Sequence, residues 1–228
     1  MPIFRLLDEA VFPPPDYADP SGLIAVGGDL SSERLLEAYR LGIFPWYSED
    51  QPILWWSPDP RFVLELEDFH VSRSLHKTLR KRIFQVTLDR AFEEVITACA
   101  AVPREGQNGT WITPEMQEAY IHLYGLGYAH SVETWLEGDL VGGLYGVSLG
   151  KGFFGESMFH RKTDASKVAL TVLVEKLKSW KFHFIDAQMS TDHMKSLGAK
   201  EVSRRIFLKQ LRSALRHPTK RGKWRIND

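Results

Sequence analysis

The chain has 228 residues, 43% hydrophobic and 25% charged, with 29 Lys and Arg against 29 Asp and Glu, which suits a globular protein of one large or two small domains. Its single cysteine, Cys99, excludes an intrachain disulfide, and no apolar run approaches the roughly 20 residues that span a bilayer. The opening MPIFRLLDEAVFPPPD lacks the basic and then apolar pattern of a secretory signal, so a soluble protein of the cytoplasm, off the membrane, is expected. The zero net charge hides an asymmetry. Residues 1–70 hold 13 acids against 4 bases, and residues 200–228 hold 10 bases against 2 acids. With a second basic block at 72–82, SRSLHKTLRKR, this makes a polyanion such as nucleic acid a plausible partner.

Residues 1–30 read as irregular, because FPPPDYADPSG breaks any regular element. DLSSERLLEAYRLG (29–42) predicts a short helix capped by Asp29 or Ser31, with Leu35, Leu36 and Tyr39 at helical spacing and Gly42 as its stop. The Pro- and Trp-rich stretch 43–64 predicts an ordered aromatic loop leading into a strand at Arg61–Leu64, since its prolines exclude a long helix or a central strand. Next come a basic helix (70–82), a strand (84–89), a helix (90–102) and the segment 109–127, a helix with Thr113 as cap and Pro114 at its first position. Strands at 130–136, 140–150 and 152–159 join through EGD and LGKG, which carry glycine as hairpin turns do. A helix (164–180), the strand FHFIDAQ, a short helix capped by Ser190 or Thr191, and a last strand or helix complete the chain. Hairpins followed by α-β-α-β predict an α+β or mixed α/β fold. The expected division is a small N-terminal domain, 1–63, carrying the aromatic loop, and a larger domain, 64–228.

No phosphate-binding glycine loop, GxSxG elbow or zinc-type cysteine pair is present, and the histidines are scattered, so no metal site is expected. What remains is a polar trio on strands. Glu156 lies among Phe153, Phe154, Met158 and Phe159, while Asp186 and Gln188, at i and i+2, should share one strand face where an apolar run ends. Buried groups of this kind are costly unless partnered, so three on adjoining strands point to a site. Tryptophans in the irregular loop (Trp46, Trp55, Trp56) and Trp111 before a helix could stack a nucleobase.

At these residues the sequence resembles the leucyl/phenylalanyl-tRNA–protein transferases. The resemblance rests on GLIAVGGDLS, YRLGIFPWYSEDQPILWWSPDPR, GTWIT, VGGLYGV, GESMF, IDAQ and DHMKSLGA, and runs from about residue 12 to 212. It implies a larger domain similar to the GCN5-related acetyltransferases, with a mixed, mainly antiparallel sheet. It also implies an aminoacyltransferase without cofactor that moves Leu, Phe or Met from aminoacyl-tRNA to the N-terminal Arg or Lys of proteins. The product would be an N-terminal degradation signal, and the enzyme a monomer. One departure is that the turn after GESMF, HRKTDASK, has no glycine to cradle a CoA pyrophosphate.

By the resemblance, Gln188 accepts a hydrogen bond from the attacking amine, Asp186 orients Gln188, and Glu156 grips the donor's amino group or ribose. Leu144, Phe153, Met158, Leu170 and Ile185 would line an apolar pocket for the donor side chain, with Trp46 and Trp111 flanking the terminal adenine. Arg73, Lys77, Arg80, Lys81 and Arg82 can meet acceptor-stem phosphates, which position without specifying sequence. Two rivals make different predictions. A CoA-dependent acyltransferase would bind acetyl-CoA, and a non-catalytic RNA-binding module would bind charged and uncharged tRNA alike.

Overall fold

The computed structural model describes residues 3–102 and 110–227, so Gly109 of the GTWIT stretch lies outside the described residues. The N-terminal part is not irregular. β1 (Phe4–Leu6), β2 (Leu23–Gly27), β3 (Phe44–Pro45) and β4 (Leu54–Trp56) make a four-stranded sheet in the order β1-β2-β4-β3. These strands are two to five residues long, too short for a period to be seen in sequence. β4 even takes an inner position in the stretch expected to be a loop. Pro52 and Pro58 flank it without interrupting it, so every backbone N–H within the strand remains. Between β2 and β3 runs α1 (Ser32–Arg40), capped by Ser31, whose side chain accepts from the Arg34 N–H.

β5 (Arg61–Glu65) already belongs to the second sheet. The other elements are α2 (Arg73–Lys81), β6 (Gln85–Leu88), α3 (Phe92–Ala100), α4 (Pro114–Gly125), β7 (Ala129–Leu136), β8 (Asp139–Leu149), β9 (Gly152–His160), α5 (Ala165–Ser179), β10 (Phe184–Gln188), α6 (Asp192–Ser196), β11 (Lys200–Val202) and α7 (Arg204–Ala214). Thr113 caps α4 ahead of Pro114, and Thr191, the second of the two candidates, caps α6. The last segment is both a strand and a helix, divided at Ser203, whose hydroxyl accepts from the Ile206 N–H.

The seven strands of this sheet run in the order β11-β5-β10-β9-β8-β7-β6. Every neighbouring pair is antiparallel except β9–β10, so the fold is mixed α/β with a mainly antiparallel sheet. The parallel pairing of β9 and β10 stops at Phe154 opposite Asp186. Beyond that point Gly155, Glu156 and Ser157 of β9 and Ala187 and Gln188 of β10 line a common cavity. Behind it, Gly146 of β8 lies so close to β9 that a Cβ would stand 2.2 Å from the Phe154 carbonyl oxygen and 2.6 Å from the Phe153 ring, an approach open only to glycine.

Two apolar clusters hold these layers. One runs from Ile24 and Trp55 of the small sheet and Leu35 of α1 to Tyr145, Phe154 and Phe207 around the large one, so the two sheets share a core. The other, on the α5 side, contains Leu144, Phe153, Leu170, Ile185 and Trp224. Among the described residues no helix is long and apolar enough to cross a membrane.

Candidate active site

The opening between β9 and β10 leads into a cavity of about 720 Å³. All five residues expected to form the donor pocket, Leu144, Phe153, Met158, Leu170 and Ile185, line it, as do Trp46, Trp111, Glu156 and Gln188. Four of the five apolar side chains are buried, and Met158 is half-buried, so the wall is built from the core itself.

Asp186 is not among the lining residues. A regular strand would present Asp186 and Gln188 on one face, but β10 shifts register between them and Gln188 takes the left-handed backbone conformation, φ 62°. That conformation is costly for a side-chain-bearing residue and persists here because the surroundings hold it. The Gln188 N–H donates to Asp186 Oδ1 at 2.9 Å. The side chains therefore part: Gln188 meets the cavity and Asp186 faces inward.

Asp186, with no exposed surface, is gripped by Arg61. Nε donates to Oδ1 at 2.8 Å and Nη2 to Oδ2 at 2.6 Å, a two-pronged pair in which both charges are buried. Arg61 Nη1 donates to the Gly42 carbonyl, and its guanidinium lies over the rings of Phe44 and Phe207 at 4.7 and 4.6 Å. Arg61 thus joins α1's end, β3, α7 and β10. In the sequence Arg61 marks only the start of a strand, and an arginine opening an apolar strand is the one signal available there.

Glu156, 8% exposed, sits where four elements meet. Its Oε1 accepts from the Tyr39 hydroxyl at 2.7 Å and from Gln188 Nε2 at 2.8 Å, and its Oε2 from the Tyr120 hydroxyl at 3.1 Å. The two tyrosine oxygens also lie within hydrogen-bond distance of each other; with one proton apiece, they fill that contact only when one gives up its bond to Glu156 or the carboxyl itself carries a proton. Burial pushes the Glu156 carboxyl up to about 7, and nearby Asp186 adds to that, while the donors from Tyr39, Tyr120 and Gln188 pull it back. Burial and the charge of Glu156 push both phenols well above the ordinary range, so they stay donors. The Gln188 amide spends its N–H on Glu156, which leaves its oxygen for an incoming N–H donor. In the sequence Tyr39 marks only the apolar spacing of a helix and Tyr120 carries no signal, since each lies among the buried apolar residues of its helix.

The loop tryptophans divide. Trp55 is fully buried and its indole donates to the Gly27 carbonyl, so it is core. Trp56 donates to the Trp46 carbonyl at 2.7 Å and packs edge-on to the Trp46 ring, which steadies Trp46 at the cavity. Trp46 and Trp111 are both half-buried, as a stacking platform requires.

The five cationic side chains Arg73, Lys77, Arg80, Lys81 and Arg82 are all exposed, and none makes an ion pair among the described residues. Thr78 of the same helix donates to Asp164 at the start of α5, two residues before cavity-lining Ser166. The basic helix is therefore fastened beside the cavity.

Comparison with known proteins gives one consistent family. The model for the leucyl/phenylalanyl-tRNA protein transferases matches residues 63–212, and the model for the N-terminal domain of the same family matches residues 28–59. A leucyl/phenylalanyl-tRNA–protein transferase of Maridesulfovibrio salexigens is 60% identical over 98% of this chain and 94% of its own. One from Myxococcus xanthus is 58% identical over 98% of this chain and 97% of its own. Among solved structures, L-PGS from Bacillus licheniformis aligns with a TM-score of 0.39 at 12% identity, covering 87% of this chain and 66% of that one.

Proposed function

The chain belongs to the leucyl/phenylalanyl-tRNA–protein transferase family, aminoacyltransferases that move Leu or Phe from tRNA to protein, and we propose that the opening between β9 and β10 is where this transfer occurs. The acceptor is the N-terminal Arg or Lys of a protein, and Met is a third donor. Such a modification makes the new N-terminus a degradation signal. The protein acts as a cytoplasmic monomer, and its larger sheet is an acetyltransferase-like frame of the GCN5-related kind. The parallel β9–β10 pair inside an otherwise antiparallel sheet supports that last reading. The two sheets support a small N-terminal domain that ends just ahead of β5 at Arg61, not at residue 63 inside that strand.

The observation that carries the proposal is the juxtaposition of Glu156 and Gln188 on the wall of a cavity otherwise lined by apolar side chains and two tryptophans. The donor side chain enters among Leu144, Phe153, Met158, Leu170 and Ile185, where shape selects at about 1–3 kcal/mol per methylene-sized difference. Trp46 and Trp111 flank the terminal adenine. Ionised Glu156 holds the donor's ammonium, since Oε2 has one acceptor position still unused after Tyr120. The exposed cations of α2 meet phosphates of the acceptor stem.

Chemistry then needs little more than placement. An α-amine has a pKa of about 7.7–8.0, so part of it is neutral near pH 7. The Gln188 oxygen accepts one N–H of that amine and aims its lone pair at the ester carbon, and such positioning can be worth about 7–11 kcal/mol. As the C–N bond forms and the C–O bond to the ribose breaks, the amine's proton passes through water or the 2′-hydroxyl to the departing 3′-oxygen. A neutral amide is too weak a base to take that proton. Asp186 acts at one remove: held by Arg61, which matches its charge, it fixes the Gln188 backbone.

The test is transfer itself. Labelled Phe on tRNA should pass to a peptide beginning with Arg and not to one beginning with Asp. Equal binding of charged and uncharged tRNA without transfer would overturn the proposal.

A further inference from the structure

The C-terminal stretch after α7 is not a loose basic tail. Thr219 accepts from the Gly150 N–H at the β8–β9 turn at 2.9 Å, and Arg221 donates to the Leu126 carbonyl at 2.9 Å. Lys220 lies over the Trp180 ring at 4.6 Å. The stretch then drives Trp224 into the molecule, where the residue is 1% exposed. The Trp224 N–H donates to Asp89 Oδ2 at 2.7 Å. The same carboxylate holds His130 Nδ1 at 2.8 Å and the Ser131 N–H at 2.8 Å. The indole stacks flat on the His130 ring, centroids 3.7 Å apart and planes 8° apart, with Trp180 at 4.9 Å and Phe182 at 6.0 Å around it.

Its remaining aromatic neighbour is Phe153, centroids 6.0 Å apart. Phe153 is a wall of the cavity and belongs to the same apolar cluster as Leu144, Leu170 and Ile185. Trp224 therefore backs the wall on the side away from the substrate. Close-packed walls hold their shape only while the atoms behind them are in place, because a void on one side forfeits contacts and lets the side chain shift.

We propose that Trp224 is a positioning residue that sets the size limit of the donor side-chain pocket by buttressing Phe153. The inference rests on the transfer reading above and extends it to a part of the chain outside the family's matched segments. It gives the anchored tail a purpose: the pocket keeps its full depth limit only when the last residues have docked.

The test charges one tRNA with either Phe or the bulkier Trp and measures kcat/KM for each donor with an Arg-peptide acceptor. In Trp224→Ala the ratio of Trp to Phe transfer should rise about tenfold, as expected for one side-chain-sized change in a pocket. Trp224→Phe should return the ratio most of the way to that of the unaltered protein. Trp224→Leu, which keeps an apolar side chain, decides the matter should Trp224→Ala not fold. Equal losses with both donors and an unchanged ratio would mean that Trp224 serves the fold alone, and the inference would fall. Absence of transfer by the unaltered protein would instead remove the reading on which it rests.

Discussion

Glu133 and Glu156 are both buried carboxylates of the large sheet, and burial raises the pKa of each, yet they stand in different kinds of place. Glu133, in β7, is bonded by Thr87 and Ser131 at 2.5 Å each, and by the backbone N–H groups of Arg90 and Ala91 just before α3. These partners lie on its own strand, on the neighbouring strand and on the turn leading from it into α3, and Glu133 is not among the cavity's lining residues. Glu156 draws its partners from α1, α4 and β10, and it does line the cavity. Burial and a shifted pKa are thus common to a structural brace and a candidate catalytic group. What separates them is open volume, together with convergence of groups from remote parts of the chain.

The largest expected effect falls on the charge pair behind Gln188. Arg61→Ala leaves Asp186 buried without its counter-charge and should lower stability by about 3–5 kcal/mol in urea unfolding. His130→Ala at the other end of the sheet should cost less, because Asp89 keeps the Ser131 and Trp224 N–H groups. Equal losses would erase the distinction between the two ends.

Next comes activity. Glu156→Gln keeps the shape of the side chain but removes the charge offered to the donor ammonium, and should lower kcat/KM about 100-fold, the usual scale for a charged hydrogen bond. Glu133→Gln should lower stability by roughly 1–2 kcal/mol and leave the rate per folded molecule within about twofold. A rate loss of similar size in both variants would show that the cavity does not mark the difference.

The last effect is in the pH dependence of stability. Native Glu156 keeps its proton up to about pH 7, whereas an unfolded carboxyl releases it near 4.5. Between these values the native state binds more protons, so its stability falls as pH rises and levels off above about 7, by about 3 kcal/mol at most. Glu156→Gln should flatten that part of the curve. An unchanged slope would place the titration elsewhere.

The polar ends of the strands were legible because polar residues inside apolar runs are conspicuous: GESMF and FIDAQ announced Glu156, Asp186 and Gln188. The five pocket positions came through the family resemblance, and all of them line the cavity. What was not legible is what each group is bonded to. Tyr39 is 117 residues from Glu156 and Arg61 is 125 from Asp186, and no local pattern encodes contacts at such separations. Tyr39 even read as part of a helix's apolar stripe, since its ring is core and only its hydroxyl reaches Glu156. The strict alternation expected of β10 failed for a related reason. A left-handed residue at Gln188 is held by tertiary contacts, and nothing in the sequence IDAQ requires it.

Tyr39 belongs to the helix that accompanies the small sheet, while Glu156 and Gln188 belong to the large one. The tyrosine's hydrogen bond is one of the influences that pull the carboxyl's proton affinity down toward neutrality. A molecule whose two sheets had not closed on each other would lose this donor together with the burial that chiefly raises the carboxyl, and Glu156 would ionise like an ordinary solvated carboxylate. A proton affinity near neutrality is therefore itself a product of assembly, and a half-built molecule lacks it by construction.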